Sequence, residues 1–160
     1  MGLFLKNLLF TVVVPGTVGV YVPLSIASGR LVVSGPLRAA AIVLLLGGGA
    51  IYVWCVWYFA WFGRGTPAPI DAPIKLVVRG LYRYSRNPMY VGVLTTILGW
   101  GILFESRDVL IYGLIVFGVF HLFVLFYEEP HLARVFGDEY ERYRARVNRW
   151  LPGLRRQPAA

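Results

Sequence analysis

"SRNPMYVGVLTTILGWGILFESRDVLIYGLIVFGVFHLFVLFYEE", residues 85–129, holds two apolar runs, 88–104 and 109–127, parted by Glu105-Ser106-Arg107-Asp108. A hydrocarbon core of roughly 30 Å takes about 20 apolar helical residues to cross. The second run has that length. The first is short for a span and reaches it only with little tilt or with help from its polar start. The stretch therefore predicts a membrane helical hairpin, and the same pattern recurs upstream at 7–27 and 39–62.

Composition agrees. Hydrophobic residues make up 58% of the 160 and charged residues only 15%, below the roughly 25% of soluble domains, and the mean hydropathy is +0.63. The run at 7–27 also has a signal-peptide outline, with Lys6 before it and "SIASG" at 25–29. It exceeds the roughly 7–15 residues of a signal core, however. Pro15, Gly16 and Pro23 suit a kinked, packed helix, so it is read as a retained span. Cys55 is the single cysteine, which excludes an intrachain disulfide and reads as a small packed residue.

The fold class expected is all-α: a polytopic membrane bundle of about four transmembrane helices plus a C-terminal amphipathic cytoplasmic helix. One integral domain fills 1–160. It divides into an N-terminal hairpin (1–62), a cytoplasmic loop (63–87), a second hairpin (88–127) and a cytoplasmic helix and tail (128–160). Arginine and lysine fix the orientation. The middle loop carries Arg64, Lys75, Arg79, Arg83 and Arg86, and the tail carries Arg134, Arg142, Arg144, Arg146, Arg149, Arg155 and Arg156, against Arg30 and Arg38 in the first loop. The positive-inside rule then puts the N-terminus, middle loop and tail in the cytoplasm, and in a prokaryote the membrane is the inner one. The net charge of +8 follows span ends and no nucleic-acid motif accompanies it, so nucleic acid is excluded as a partner.

In the tail, Leu132, Phe136, Tyr140, Tyr143 and Val147 recur at helical spacing, predicting an amphipathic surface helix over 128–154. Pro130 suits its first turn, Gly137 is a weak point, and "LPG" at 151–153 ends it. Taken alone, this tail is a membrane-surface anchor.

The middle loop asks for more. "GTPAPIDAP" (65–73) is an irregular connector, and Gly80 permits a turn. Asn87-Pro88 starts a helix, with Asn87 as cap. That helix end, beside Arg83 and Arg86, attracts a carboxylate or phosphate. An ordinary positive flank would explain the arginines but not the ordered string "RGLYRYSRNPMYVG" (79–92). Glu128 and Glu129 are equally conspicuous, because negative charge is unfavourable at a helix C-terminus. Paired acids there call for positive partners, and the loop arginines emerge on the same side. Arginine and helix N–H groups suit a carboxylate; the acids suit an ammonium or a ribose diol.

"LVVRGLYRYSRNPMYVG" followed by "YEEPHLARVFGDEYERYRARVNRWLP" resembles the isoprenylcysteine carboxyl methyltransferase and phospholipid methyltransferase superfamily over residues 76–152. The pattern is an Arg-(His/Asn)-Pro-x-Tyr element, a Glu-Glu pair, "FG-x-E-Y-x-x-Y" and a terminal "R-x-L-P"-like turn. The resemblance implies an integral membrane enzyme that transfers a methyl group from S-adenosylmethionine to a lipophilic acceptor, a phospholipid amine, a lipid carboxylate or a thiol. It implies cofactor contacts from Arg86, Asn87, Pro88, Tyr90, Glu128 and Glu129, with Leu81 and Tyr82 in the enclosing turn and Arg83 beside Arg86. Asparagine at 87, where the carboxyl methyltransferases carry histidine, leans toward the phospholipid-type branch.

His121 lies within the last span on the Glu128 face. It is either a neutral histidine bonded to a helix neighbour or a residue that lines the acceptor channel and takes the acceptor's proton. Other classes weighed are a sterol-reductase-like enzyme using a nicotinamide cofactor, a membrane scaffold, and a transporter. The last is disfavoured because no charge pair lies at mid-membrane.

Overall fold

The computed structural model describes residues 13–58 and 76–151. Expectations placed on Lys6, Arg64, the 65–73 connector, Lys75, Pro152-Gly153, Arg155 and Arg156 fall outside the described residues. Those residues are all-helical: α1 (Thr17–Ile26), α2 (Pro36–Tyr58), a 3₁₀ turn (Gly80–Arg83), α3 (Pro88–Leu103), α4 (Arg107–Phe136) and α5 (Asp138–Arg146). Two of them, α2 and α4, are long and apolar enough to cross a membrane; α1 and α3 are shorter apolar helices. Large side chains stand on the outer faces of both long helices, among them Leu46, Val53, Leu114 and Phe126. In water such continuous apolar faces would demand a partner.

Proline chemistry decides how α1 docks. Pro23 has no N–H, so neither Gly19, four residues back, nor Val18, five back, can bond to it in an α or a π register. The Trp100 indole donates to the Gly19 carbonyl at 3.1 Å and the Tyr112 hydroxyl to the Val18 carbonyl at 2.9 Å. Residues of α3 and α4 thus satisfy carbonyls that Pro23 cannot, tying α1 to both helices. Inside, Tyr52, Val93, Ile97, Val109 and Val116 form the core.

The turns after α1 and α3 meet at one end of the bundle. Val33 N–H donates to the Leu103 carbonyl at 2.8 Å, and Ser106 caps α4 by accepting from Val109 N–H at 3.3 Å. Arg30 and Asp108 form an ion pair at 2.6 Å, both largely exposed. An exposed pair of this kind contributes about 0–1 kcal/mol. Asp108→Asn should therefore leave the melting temperature in detergent within a few degrees of wild type.

The opposite end corrects three expectations. Helix α4 does not stop before the acids; it runs through Glu128, Glu129 and Pro130 to Phe136. Residues Val124–Glu128 form a π turn, with Glu129 N–H bonded to the Val124 carbonyl. A wider turn is one way a helix admits a proline two residues on. The acids are therefore mid-helix, and the argument from a helix C-terminus does not apply to them. Second, the tail is not one helix: Gly137 takes φ +49° and breaks the chain, and α5 begins afresh at Asp138. Third, Asn87 holds the cap position of α3, but its side chain makes no cap bond.

Candidate functional site

The Asn87 amide is spent elsewhere. Its Nδ2 donates to the Arg149 carbonyl at 3.1 Å, and the Ser85 hydroxyl donates to the same oxygen at 3.2 Å while accepting from Asn87 N–H. Arg86 N–H donates to the Asn148 carbonyl at 2.9 Å. The segment 85–87 thus holds the residues after α5 as a strap across the end of the bundle. The Tyr143 hydroxyl adds a bond to the Tyr82 carbonyl at 2.7 Å, and burial raises the pKa of this phenol.

Under that strap sits Glu129, with its side chain 8% exposed. Arg149 grips it with two parallel bonds, Nε to Oε1 at 2.6 Å and Nη2 to Oε2 at 3.0 Å. Such a fork is the strongest geometry available to an arginine–carboxylate pair. Arg86 Nη1 reaches Oε1 at 3.0 Å, its own side chain 6% exposed. Arg86 also donates to the Tyr140 hydroxyl at 3.3 Å. Burial pushes the Tyr140 phenol up to about 12, the Glu129 charge adding to this and Arg86 opposing it. Tyr140 is therefore a neutral hydroxyl at physiological pH. The hydrogen bonds to Glu129 likewise push the Arg149 guanidinium up.

Adjacent residues on a helix point about 100° apart. Glu128 accordingly leaves this cluster and accepts from the Tyr90 hydroxyl on α3 at 3.1 Å. The paired acids serve two neighbouring places, one arginine-rich and one aromatic. Beside the first, Arg86, Leu125, Glu129, Pro130, Ala133, Arg144 and Arg149 line an open cleft of about 370 Å³. The buried Nε of Arg86 has no hydrogen-bond partner among the described residues.

Of the residues singled out in the sequence, Arg86 and Glu129 line this cleft, and Tyr90 and Glu128 form the adjoining pair. Asn87 and Pro88 are buried at the start of α3. Leu81 and Tyr82 pack against Cys55 and Val77, away from the cleft lining. Burial lifts the Tyr82 phenol well above its ordinary range. Arg83 is exposed and does not line the cleft. His121 accepts from the Trp150 indole N–H at Nδ1, 3.1 Å away; it is bonded to the strap and not to a neighbour on its own helix. The residues that sequence reasoning left unassigned are Arg144, Arg149, Tyr140 and Trp150. Three of them stand in "FG-x-E-Y-x-x-Y" and "R-x-L-P"; those motif strings were the signal, and their partners were not readable from them.

Comparison with known proteins follows the same residues. The phospholipid methyltransferase family matches residues 37–139. Protein-S-isoprenylcysteine O-methyltransferase of Schizosaccharomyces pombe is 36% identical over 78 residues, 48% of this chain and 33% of that one. Methanethiol S-methyltransferase of Crocosphaera subtropica is 29% identical over 84 residues, 50% of this chain and 30% of that one. The match thus spans about a third of the length of either enzyme. An uncharacterized protein of Haemophilus influenzae is 39% identical over 64 residues, 39% of this chain and all of that one.

Proposed function

The chain belongs to the phospholipid methyltransferase family, and from that membership we propose that it is an integral membrane methyltransferase. Its methyl donor would be S-adenosylmethionine, and its acceptor a lipophilic amine, carboxylate or thiol. The observation that carries the reading is Glu129, clamped by Arg86 and Arg149 in the wall of an open polar cleft.

The residues present fit the donor. The cleft, about 370 Å³, falls in the 300–1,000 Å³ range of small-molecule sites. Arg144, half exposed in the cleft lining, offers donors to a carboxylate. Glu129 keeps acceptor capacity beyond its two arginines, because a carboxylate presents about four lone-pair sites; it suits an ammonium or a ribose hydroxyl. When bound, S-adenosylmethionine supplies a methyl group on a sulfonium, ready for direct displacement. The protein's part is positioning and exclusion of water. Asn87 and Ser85 hold the strap, the strap holds Arg149, and Arg149 with Arg86 fixes Glu129. Tyr90 and Glu128 form the wall toward the membrane side, and Leu81, Tyr82, Pro88 and Arg83 support or flank the turn that carries Arg86.

We take all four apolar helices as spans, with the N-terminus, middle loop and tail cytoplasmic and the domain divided at 62, 87 and 127. Helix α4, 30 residues long, extends about 45 Å at 1.5 Å per residue, more than the roughly 30 Å hydrocarbon core. Its last turns, with Glu128 and Glu129, then emerge into the cytoplasmic interface, where a water-soluble donor can reach the cleft.

Calorimetric titration of the detergent-purified protein with S-adenosylhomocysteine tests the reading. Arg144 is half exposed and, among the described residues, pairs with the exposed Glu141 at 3.3 Å, so its loss should not unfold the protein. Arg144→Met is expected to weaken binding about tenfold, or roughly 1.4 kcal/mol, with melting unchanged. Binding of NADPH in place of S-adenosylhomocysteine would move the chain to the sterol-reductase-like alternative. Binding of neither would favour the scaffold.

A further inference from the structure

A second set of groups gathers on the far side of Glu128. Trp150 follows Arg149 in the strap, and its indole N–H donates to His121 Nδ1 at 3.1 Å. The indole lies 5.3 Å from the Phe117 ring and 6.4 Å from the Tyr90 ring. Tyr90 in turn packs on Phe120 at 4.6 Å. Phe117 also ends an apolar groove of about 350 Å³ between α3 and α4, lined by Leu94, Leu98 and Leu114 among others. Two consecutive residues of one strap thus have different surroundings: Arg149 grips a carboxylate in the polar cleft, and Trp150 packs on Phe117, which lines the apolar groove.

We propose that Trp150 is the wall between the donor cleft and the acceptor's apolar chain, and that His121 is the positioning residue that fixes it. The acceptor in this statement rests on the methyltransferase reading above; the His121–Trp150 contact does not. The hydrogen bond sets the tautomer. Nδ1 accepts, so the imidazole proton is on Nε2. Protonating Nδ1 would turn an acceptor into a donor facing the indole donor and release Trp150. His121 therefore does not take the acceptor's proton at Nδ1 while it holds the wall. A glutamine carbonyl can accept the same bond; leucine cannot.

The test uses the full chain in nanodiscs of phosphatidylcholine with brominated acyl chains. The Trp150 indole N–H resonance is identified in ¹⁵N spectra by its loss in Trp150→Phe. In the wild type it should lie downfield and exchange slowly with solvent. His121→Gln should keep both properties, and His121→Leu should lose both. The Trp150 part of the fluorescence, taken as wild type minus Trp150→Phe, should be quenched by the brominated chains. Loss of the indole signature in His121→Gln, or its survival in His121→Leu, would overturn the positioning role. Unquenched Trp150 emission would overturn the wall assignment. Failure of the wild type to bind S-adenosylhomocysteine with the indole signature intact would count against the methyltransferase reading and leave the positioning role standing.

Discussion

Glu129→Leu should lower the stability of the protein by about 3–5 kcal/mol, the cost of stripping one partner from a buried ion pair. The Arg86 guanidinium is almost wholly buried beside the Glu129 carboxylate, and leucine would leave its charge, among the described residues, with the Tyr140 hydroxyl. Arg149 is less affected, since its side chain is 27% exposed and can turn toward water. Thermal unfolding in detergent micelles measures the effect. Glu128→Leu is the control at the next position. It removes one hydrogen bond from Tyr90, a loss of about 1–2 kcal/mol. Equal melting losses for the two variants would sink the division of labour between the two acids. Adding Arg86→Met to Glu129→Leu should recover much of the stability, because an apolar pair of similar volume can replace a buried ion pair at little cost. It should not recover binding of S-adenosylhomocysteine, which separates the structural role of the pair from its role in the cleft.

The sequence places acids and arginines at the ends of neighbouring apolar runs, Arg83 and Arg86 before 88–104 and Glu128 and Glu129 after 109–127. It does not show which acid meets which arginine. That depends on the π turn at Val124–Glu128, whose register sets the direction of each carboxylate, and no local signal for that turn stands out beyond Pro130. Asn87 illustrates a different limit. Asparagine before proline at a helix start is good cap chemistry, yet the amide bonds the Arg149 carbonyl 62 residues away. A tertiary partner outcompetes the local one. Gly137 is the opposite case: a glycine inside a periodic stretch marked the break between α4 and α5, because its φ of +49° is open to glycine and strained for other residues. The apolar runs were legible because long uncharged stretches stand apart from the rest of the chain. The strap was not, since residues 147–151 make no regular helix and owe their place to segment 85–87 and to Glu129 and His121 on α4.

Gly48→Ala should be among the most disruptive single-carbon changes in the chain, although its two neighbours tolerate the same change. "LLLGGGA" at 44–50 reads as close helix packing or as room for an acyl tail, and the three glycines look alike in the sequence. Helices α2 and α3 cross at Gly48 and Gly92. A Cβ on Gly48 would sit 2.5 Å from Thr96 Oγ1, 2.6 Å from the Gly92 carbonyl and 2.8 Å from Thr96 N. Two of those atoms are backbone and cannot rotate away, so the helices must separate. Overpacking of this kind costs about 1–3 kcal/mol, and here it also loosens Gly92 and Gly99, which pack on α2 in the same way. A Cβ on Gly47 or Gly49 meets nothing within 4 Å. Gly47→Ala and Gly49→Ala should therefore melt with the wild type, while Gly48→Ala melts several degrees lower. The crossing also sets where α3 begins, so Arg86 and Tyr90 shift with it against α4. Gly48→Ala should then weaken S-adenosylhomocysteine binding even though residue 48 is remote from the cleft lining. Equal melting of all three alanine variants would show that α2 and α3 are not in this register, and would remove the support beneath the Arg86–Glu129 pair.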